Sequence, residues 1–433
     1  MSASLLEHKT RRQTLASLLP EGALAFIPAA LFVLRNGDVT HSFRQHSDFL
    51  YLTGSNEPEA LLLVASTGAS TLFVRPRNPA EEQWTGKRLG ADGALDLGVE
   101  TAYSLDELER RLPEILAAHT AIYYAIGQHP GLETQIMTAW GNIKKQSRRG
   151  LKTPGCFADL APILGELRLF KSPQEVLWMS EAARISMEGH RHAMRASRVE
   201  TYEYQVEAAF LSVLQQAGFR QTAYESIVAS GANACVLHYT DNNQALQKGS
   251  LVLMDAGAEY LGYASDITRV VPVDGRFSTE QRLIYEAVLE AQKLAIAQIR
   301  PGVRWDLIQQ TVVLSLTTSL VALGLLVGDV QELIAEEAYK LFYMHQAGHW
   351  LGLDVHDVGA YKINQEWRFL EPGMVLTVEP GLYITPGLKN VHPRWWGIGV
   401  RIEDDVLVTA EGALNLTEDL IKEVDAIEDF LRG

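Results

Sequence analysis

Apolar and polar positions follow two different rhythms along this chain, and the change between them divides it. In the first third, short apolar runs predict strands over 23–27, 49–52, 60–64, 70–74 and 121–126, separated by stretches with helical spacing. Asn36-Gly37 marks a tight turn, and Ser104 with Glu107 has the spacing of a capping box that opens a helix. Together these predict a small α/β domain. Near residue 170 the pattern lengthens. Ser172-Pro173-Gln174-Glu175 places a serine cap, a proline at the first helical position and a glutamate three residues after the cap. A long helix to about residue 194 follows, then helices near 201–216, 278–299 and 304–323. Strands are predicted over 251–271, in two runs, and over 374–378, 382–384 and 398–409. These strands and helices are grouped rather than alternating, which predicts an α+β domain. The boundary is drawn at 171/172, giving domains 1–171 and 172–433.

Candidate chemistry lies in the second domain. Leu251 to Val271 reads as a hairpin around Glu-Tyr-Leu-Gly. If it centres between Tyr260 and Leu261, Asp255 and Asp266 lie directly opposite, with Cβ atoms roughly 4.5–5.5 Å apart. The flanks are too apolar for a solvated ribbon. Two buried carboxylates that close require a proton or a bound cation. In GIGVRIEDDVLV, alternation puts Ile398, Val400 and Ile402 on one face and Gly399, Arg401 and Glu403 on the other. Glu379 closes an apolar run; Pro380 holds it extended and Gly381 permits a sharp exit. His345 and His349 stand four apart, as on a zincin helix, but Gln346 occupies the place of the required glutamate. Four carboxylates and one imidazole suit Mn²⁺, Mg²⁺, Fe²⁺ or Co²⁺ better than structural zinc. Two such ions roughly 3.5–4 Å apart can hold a bridging hydroxide and polarise a carbonyl or phosphoryl oxygen. The residues alone therefore predict metal-assisted hydrolysis of an unspecified substrate.

Composition narrows the partners. The 433 residues carry a formal net charge of −15, which argues against nucleic acid. Only Cys156 and Cys235 occur, so neither a disulfide framework nor a thiolate metal site is expected, and a reducing, cytoplasmic setting is. The N-terminus lacks a signal-peptide core. Residues 307–328 carry no charged side chain, but Gln309, Gln310, Thr311, Ser315 and Thr317 interrupt them, so a core helix is expected rather than a membrane span.

The strings DAGAEYLGYASDITR, HWLGLDVHDVG, VLTVEPGLY and RIEDD, in this order, resemble the methionine-aminopeptidase, creatinase and prolidase superfamily with its "pita-bread" fold. Within it the chain looks like a bacterial Xaa-Pro aminopeptidase (aminopeptidase P). FRQHSDFLYLTGSNEPEALLL, RLFKSPQE and LHYTDN extend the likeness over essentially the whole length. The resemblance implies a pita-bread metallopeptidase domain behind a smaller creatinase-like α/β domain that limits access to a peptide's N-terminus. It implies two divalent ions, with Mn²⁺ the expected metal. Asp255 would chelate one, Asp266 and Glu403 would bridge both, and His349 and Glu379 would hold the second. Glu379 would also take the proton of the attacking water. His238 and His356 would touch the substrate, His345 and Arg401 would support them, and Tyr383 would join the substrate site. Trp84 and Asp38 match positions that line the entrance in aminopeptidase P assemblies, so a homo-oligomer, dimer or tetramer, is expected. Between the histidines, Gln346-Ala347-Gly348 stands where near relatives carry Gly-Leu-Ser, a departure that touches packing rather than ligands. The expected substrates are peptides with proline second. A prolidase-type Xaa-Pro dipeptidase would share all five ligands. A metal-free creatinase-type hydrolase or a binding-only pseudo-peptidase would have lost some of them.

Overall fold

Two compact units make up the chain, Met1–Arg168 and Leu169–Gly433. The computed structural model describes residues 3–146, 148 and 150–433. Leu169, Phe170 and Lys171, read from sequence as the end of the first domain, belong to the second. Lys171 is buried there, its backbone N–H donating to the Gly373 carbonyl and its Nζ pairing with Asp357 at 2.9 Å. The serine cap expected at Ser172 forms a full capping box with Glu175 and opens the helix Pro173–Ala196.

In the first unit six strands form one mixed sheet. Their spatial order is Thr101–Ser104, Ser70–Val74, Leu61–Ala65, Ala23–Pro28, Ala121–Tyr124 and Cys156–Asp159. Leu24, Phe26, Leu61, Leu63 and Ile122 pack on Leu108, Leu112 and Leu116 of the helix Leu108–Ala117 and on Ile136 and Ile143 of Pro130–Lys145. The run 49–52, expected as a strand, lies in the helix Ser47–Thr53. Four apolar residues fit either element. Asp48 in the first turn and Gly54, left-handed with its N–H bonded to the Leu50 carbonyl, decide for the helix. The capping box at Ser104 does not form. Glu107 instead accepts from Arg110 and Arg111, only a 3₁₀ turn follows Ser104, and the α-helix starts at Leu108. Asn36-Gly37 does lie at a turn, between Leu34–Asn36 and Val39–Thr40, with Asp38 exposed beside Gly37. Trp84, on the short helix Pro79–Thr85, is 89 % exposed and so is not packed into its own domain.

The second unit is built on three small antiparallel sheets. One orders Thr268–Pro272, Leu251–Asp255 and Ile227–Ser230; another orders Val375–Val378, Asp404–Val408 and Ala413–Asn415; the third pairs Gly381–Ile384 with Ile398–Arg401. Apart from Ala413–Asn415 these strands are buried along their whole length, as elements covered on both faces should be. The helices Pro173–Ala196 and Glu203–Gln216 pack together, as do Thr279–Gln298 and Trp305–Ala322. The last of these buries Ile308, Val312, Leu316 and Leu320, and no helix among the described residues is long and apolar enough to cross a membrane.

Two expectations need correction here. The hairpin turns one residue later than expected, at Leu261-Gly262, where φ is 51° and 89° as a two-residue primed turn requires. Asp255 therefore opposes Thr268, and Asp266 stands diagonally to it. The run 398–409 is also not one strand. It breaks at Ile402-Glu403, so that Ile398–Arg401 and Asp404–Val408 pair with different partners.

Arg269 and Asp404 join the first two sheets. Arg269 Nη2 donates to Asp404 Oδ1 at 2.7 Å and Nη1 to the Glu403 carbonyl at 2.7 Å, both side chains being buried. Lys422 is a second cation on Asp404. Burial would raise the Asp404 carboxyl, but Arg269 and Lys422 outweigh it and hold it low. Arg269→Met should leave Asp404 short of a partner and destabilise the protein by about 3–5 kcal/mol, the usual cost of breaking a buried pair on one side. The check is a fall in the urea midpoint of the metal-free protein at unchanged m-value; a shift under about 1 kcal/mol would show that Lys422 suffices.

Candidate metal centre

Each of the four proposed carboxylate ligands lies at or next to the end of a buried strand. Asp255 is the last residue of Leu251–Asp255, and Asp266 lies just before Thr268–Pro272. Glu403 occupies the break between two strands, and Glu379 follows Val375–Val378. His349 is carried by an irregular segment, not a helix. Its neighbours are in register with the Glu379 strand: the Thr377 N–H donates to the His349 carbonyl and the Glu379 N–H to the Ala347 carbonyl. Chain breaks at these points let side chains turn from a sheet into the space beside it.

That space is a cavity of about 560 Å³ onto which all five side chains open. One ligand atom from each of Asp266, His349 and Glu403 lies within 4.8 Å of the other two. His349 Nε2 is 3.3 Å from Asp266 Oδ2 and 3.8 Å from Glu379 Oε1. Its Nδ1–H donates to the Trp350 carbonyl at 3.0 Å, which fixes the ring and leaves Nε2 directed at the carboxylates. This is how a metal-ligating histidine is oriented.

Arg401 binds this cluster from behind. Nη2 donates to Asp255 Oδ2 at 2.6 Å, Nη1 to the Tyr383 hydroxyl at 3.1 Å and Nε to Thr268 Oγ1 at 3.2 Å. The Thr268 hydroxyl in turn donates to Glu403 Oε2 at 2.7 Å. The Tyr383 hydroxyl also meets His345 Nε2 at 2.8 Å; Tyr383 is fully buried and reaches the cavity only through His345 and Arg401. His238, His345 and His356 all face the cavity, whose apolar wall is Trp305, Tyr361 and Trp367. Trp84 and Asp38 belong to the first unit.

Tyr224 escaped the sequence reading. Its hydroxyl lies 2.7 Å from Asp255 Oδ1 and 2.6 Å from Asp266 Oδ1. Gly257 makes the room: a Cβ there would meet the Ser265 carbonyl oxygen at 1.7 Å and the Tyr224 ring at 3.2 Å. No periodicity or motif in TAYESIVAS marks this tyrosine, because its partners are set by the hairpin and not by its own neighbours.

The electrostatics test whether this donor set fits a cation. Burial, reinforced by the neighbouring carboxylates, pushes Glu403 well up, and burial raises Glu379 to about 7 and also raises Asp255, Arg401 notwithstanding. Burial alone would depress His349, but Asp266 and Glu379 carry it to about 9. Burial and Arg401 bring His345 to about 4, so that ring is neutral. Protons thus gather where like charges crowd, at the positions a divalent cation would fill, and oxygen-rich donors with one imidazole are what Mn²⁺-class ions accept. The residues fit the group. Tyr224→Phe should keep the fold but weaken binding of Mn²⁺ by about ten- to a hundredfold, the usual effect of losing a hydrogen bond to a ligand. Titration of metal into the stripped protein measures it, and an unchanged affinity would show that Arg401 alone orients Asp255.

Comparison with known proteins places this geometry. Residues 178–410 match the model of metallopeptidase family M24, and residues 8–123 that of the aminopeptidase P N-terminal domain. The Xaa-Pro aminopeptidase of Escherichia coli K12 is 43% identical over 98% of this chain and 97% of its own length. That of Haemophilus influenzae is 44% identical over 97% and 96%. Among solved structures, the Pseudomonas aeruginosa aminopeptidase PepP superposes with a TM-score of 0.97 at 46% identity, covering 99% of this chain and 98% of that one. A zinc-substituted E. coli aminopeptidase P in complex with product superposes with a TM-score of 0.96 at 42% identity over 100% and 99%. The fold is thus the α+β pita-bread arrangement, preceded in sequence by an aminopeptidase P N-terminal domain, and the chain belongs to metallopeptidase family M24.

Proposed function

We propose that this protein releases the N-terminal residue from peptides whose second residue is proline. The observation that carries the reading is the convergence of Asp266, His349 and Glu403, with Asp255 and Glu379, on a cavity that also presents His238 and His356. The names of its relatives point the same way. Two divalent ions, Mn²⁺ by preference, would be held by Asp255, Asp266, His349, Glu379 and Glu403 and would supply an activated water and a Lewis acid for the scissile carbonyl. Glu379, which follows Val375–Val378 and faces the cavity, would take the proton of the attacking water and return it to the departing prolyl nitrogen. His238 and His356 line the same cavity and would donate to the carbonyl oxygen as negative charge builds on it. Trp305, Tyr361 and Trp367 offer an apolar wall to the pyrrolidine ring. That ring brings no N–H to be satisfied.

Asp38 and Trp84 are carried forward as substrate contacts from the first unit, and assembly into a homo-oligomer goes with them. Support comes from the nearly bare indole and from a run of exposed apolar side chains, Leu31 to Leu34 with Val39, next to Asp38. The charge and cysteine content keep a cytoplasmic setting as the expectation.

Chelation should abolish hydrolysis of an Xaa-Pro-Xaa tripeptide, and added Mn²⁺ should restore it. Glu379→Gln should lower kcat by about 10²–10⁴-fold, the usual contribution of a general base. Loss of under tenfold at saturating metal would remove Glu379 from that role. Cleavage confined to Xaa-Pro dipeptides, with tripeptides untouched, would establish the prolidase reading instead.

Trp84→Ala should reduce turnover of longer peptides more than that of short ones, with metal content and melting temperature unchanged. Equal losses on all substrates, or none, would assign the indole to another surface.

A further inference from the structure

The histidine placed on the substrate, His238, sits on a segment that no sheet supports. The chain leaves the strand Ile227–Ser230, makes a 3₁₀ turn over Gly231–Cys235 and returns at Gln244. Its first half is seated by packing. The Ala234 carbonyl lies where a Cβ on Gly399 would stand 2.3 Å away, so only glycine at 399 admits it. Near its far end, Asn242 is tied by its side chain to the Val228 N–H and the Ser226 carbonyl. Between these anchors lie Leu237 and His238, both facing the cavity, and Val236, Thr240 and Asp241, which are not buried.

A buried side chain from another element is bonded along this span. Glu203, at the start of the helix Glu203–Gln216, is fully buried. Its Oε1 accepts from the Ser230 N–H and hydroxyl, each at 2.7 Å, and from Asn233 Nδ2 at 3.1 Å. Its Oε2 accepts from the Tyr239 hydroxyl at 2.8 Å and the Gln244 N–H at 2.9 Å. All these donors lie in residues 230–244. A buried carboxylate is held this way only when its lone pairs are filled. Here they are filled from both ends of one loop and, through Tyr239, from the residue next to His238.

We infer that Glu203 and Tyr239 are positioning residues for the substrate step: the Tyr239–Glu203 hydrogen bond fixes the bend that presents the His238 imidazole to the cavity. The inference rests on the substrate role proposed above for His238. Neither Glu203 nor Tyr239 lines the cavity, so their effect on turnover passes through the loop.

Tyr239→Phe removes the one hydroxyl and keeps the ring; Glu203→Gln, which sets an amide against several donors, is the harsher change and the less informative. Measured on an Xaa-Pro-Xaa tripeptide with Mn²⁺-loaded protein, Tyr239→Phe should lower kcat/KM by about five- to twentyfold, with metal content and melting temperature close to the parent's. In a His238→Ala background the same change should cost less than about twofold, because residues acting as one unit are not additive. Equal factors in both backgrounds, or a neutral Tyr239→Phe, would overturn the inference and leave His238 its role. A His238→Ala protein as fast as the parent would overturn that role and the inference with it.

Discussion

Four carboxylates brought onto one cavity repel one another, and much of the second unit is arranged around that repulsion. Two unit charges at 4 Å interact by about 4 kcal/mol at the effective dielectric of a protein site. Among the described residues, Asp255, Asp266, Glu379 and Glu403 have Arg401 and the His349 imidazole as their close positive partners. The imbalance drives protons onto Glu403 and Glu379 and onto His349. Those protons occupy lone pairs that a cation would otherwise use, so metal binding here must displace them.

A cluster under such strain needs rigid walls, and they are made from buried polar groups rather than by packing alone. The middle of the 251–272 hairpin, between its two paired stretches, is fastened to the helix Pro173–Ala196. His190 Nε2–H donates to the Ala256 carbonyl at 2.9 Å, and the Ala258 N–H donates to Ser186 Oγ at 2.8 Å. Burial keeps His190 neutral, at about 3. Asp405 accepts from Ser265 Oγ and the Asp266 N–H, while Arg269 ties the Glu403 carbonyl to Asp404. Asp255, Asp266 and Glu403 thus each have a neighbour in sequence whose own hydrogen bonds hold the backbone in place.

The same division explains what could be read in the sequence. Long periodic helices were legible: 278–299 was expected and Thr279–Gln298 is found, and 304–323 became Trp305–Ala322. Candidate carboxylates for a metal could be picked out because an acidic residue at the end of an apolar run is conspicuous. The register of the hairpin was not, since an Asx-free Glu-Tyr-Leu-Gly turn leaves two centres open and the left-handed Leu261 decides between them. Tyr224 and Glu203 were not legible either. Their roles come from partners 31 to 42 and 27 to 41 residues away, a relation no local pattern encodes. The run 49–52 failed for the opposite reason: four residues carry too little periodicity to separate helix from strand.

The four carboxylates and the two histidines proposed to meet the substrate are mounted differently, and the difference has a physical reason. Asp255, Asp266, Glu379 and Glu403 sit at or beside strand ends, where sheet hydrogen bonds fix the adjoining backbone. Cations demand such fixed distances. His238 and His356 lie on irregular segments, where loops can present side chains to a peptide of variable sequence. A loop of this kind has no ladder of its own, so a buried acceptor must replace it. Asp357, paired with Lys171 and accepting from the Asp354 N–H, does so beside His356. Glu203 does so across the segment that carries His238. The segments that carry His238 and His356 thus each meet a buried carboxylate outside the cavity: Glu203, which comes from another element, and Asp357, which follows His356 in sequence and is tied to the distant Lys171.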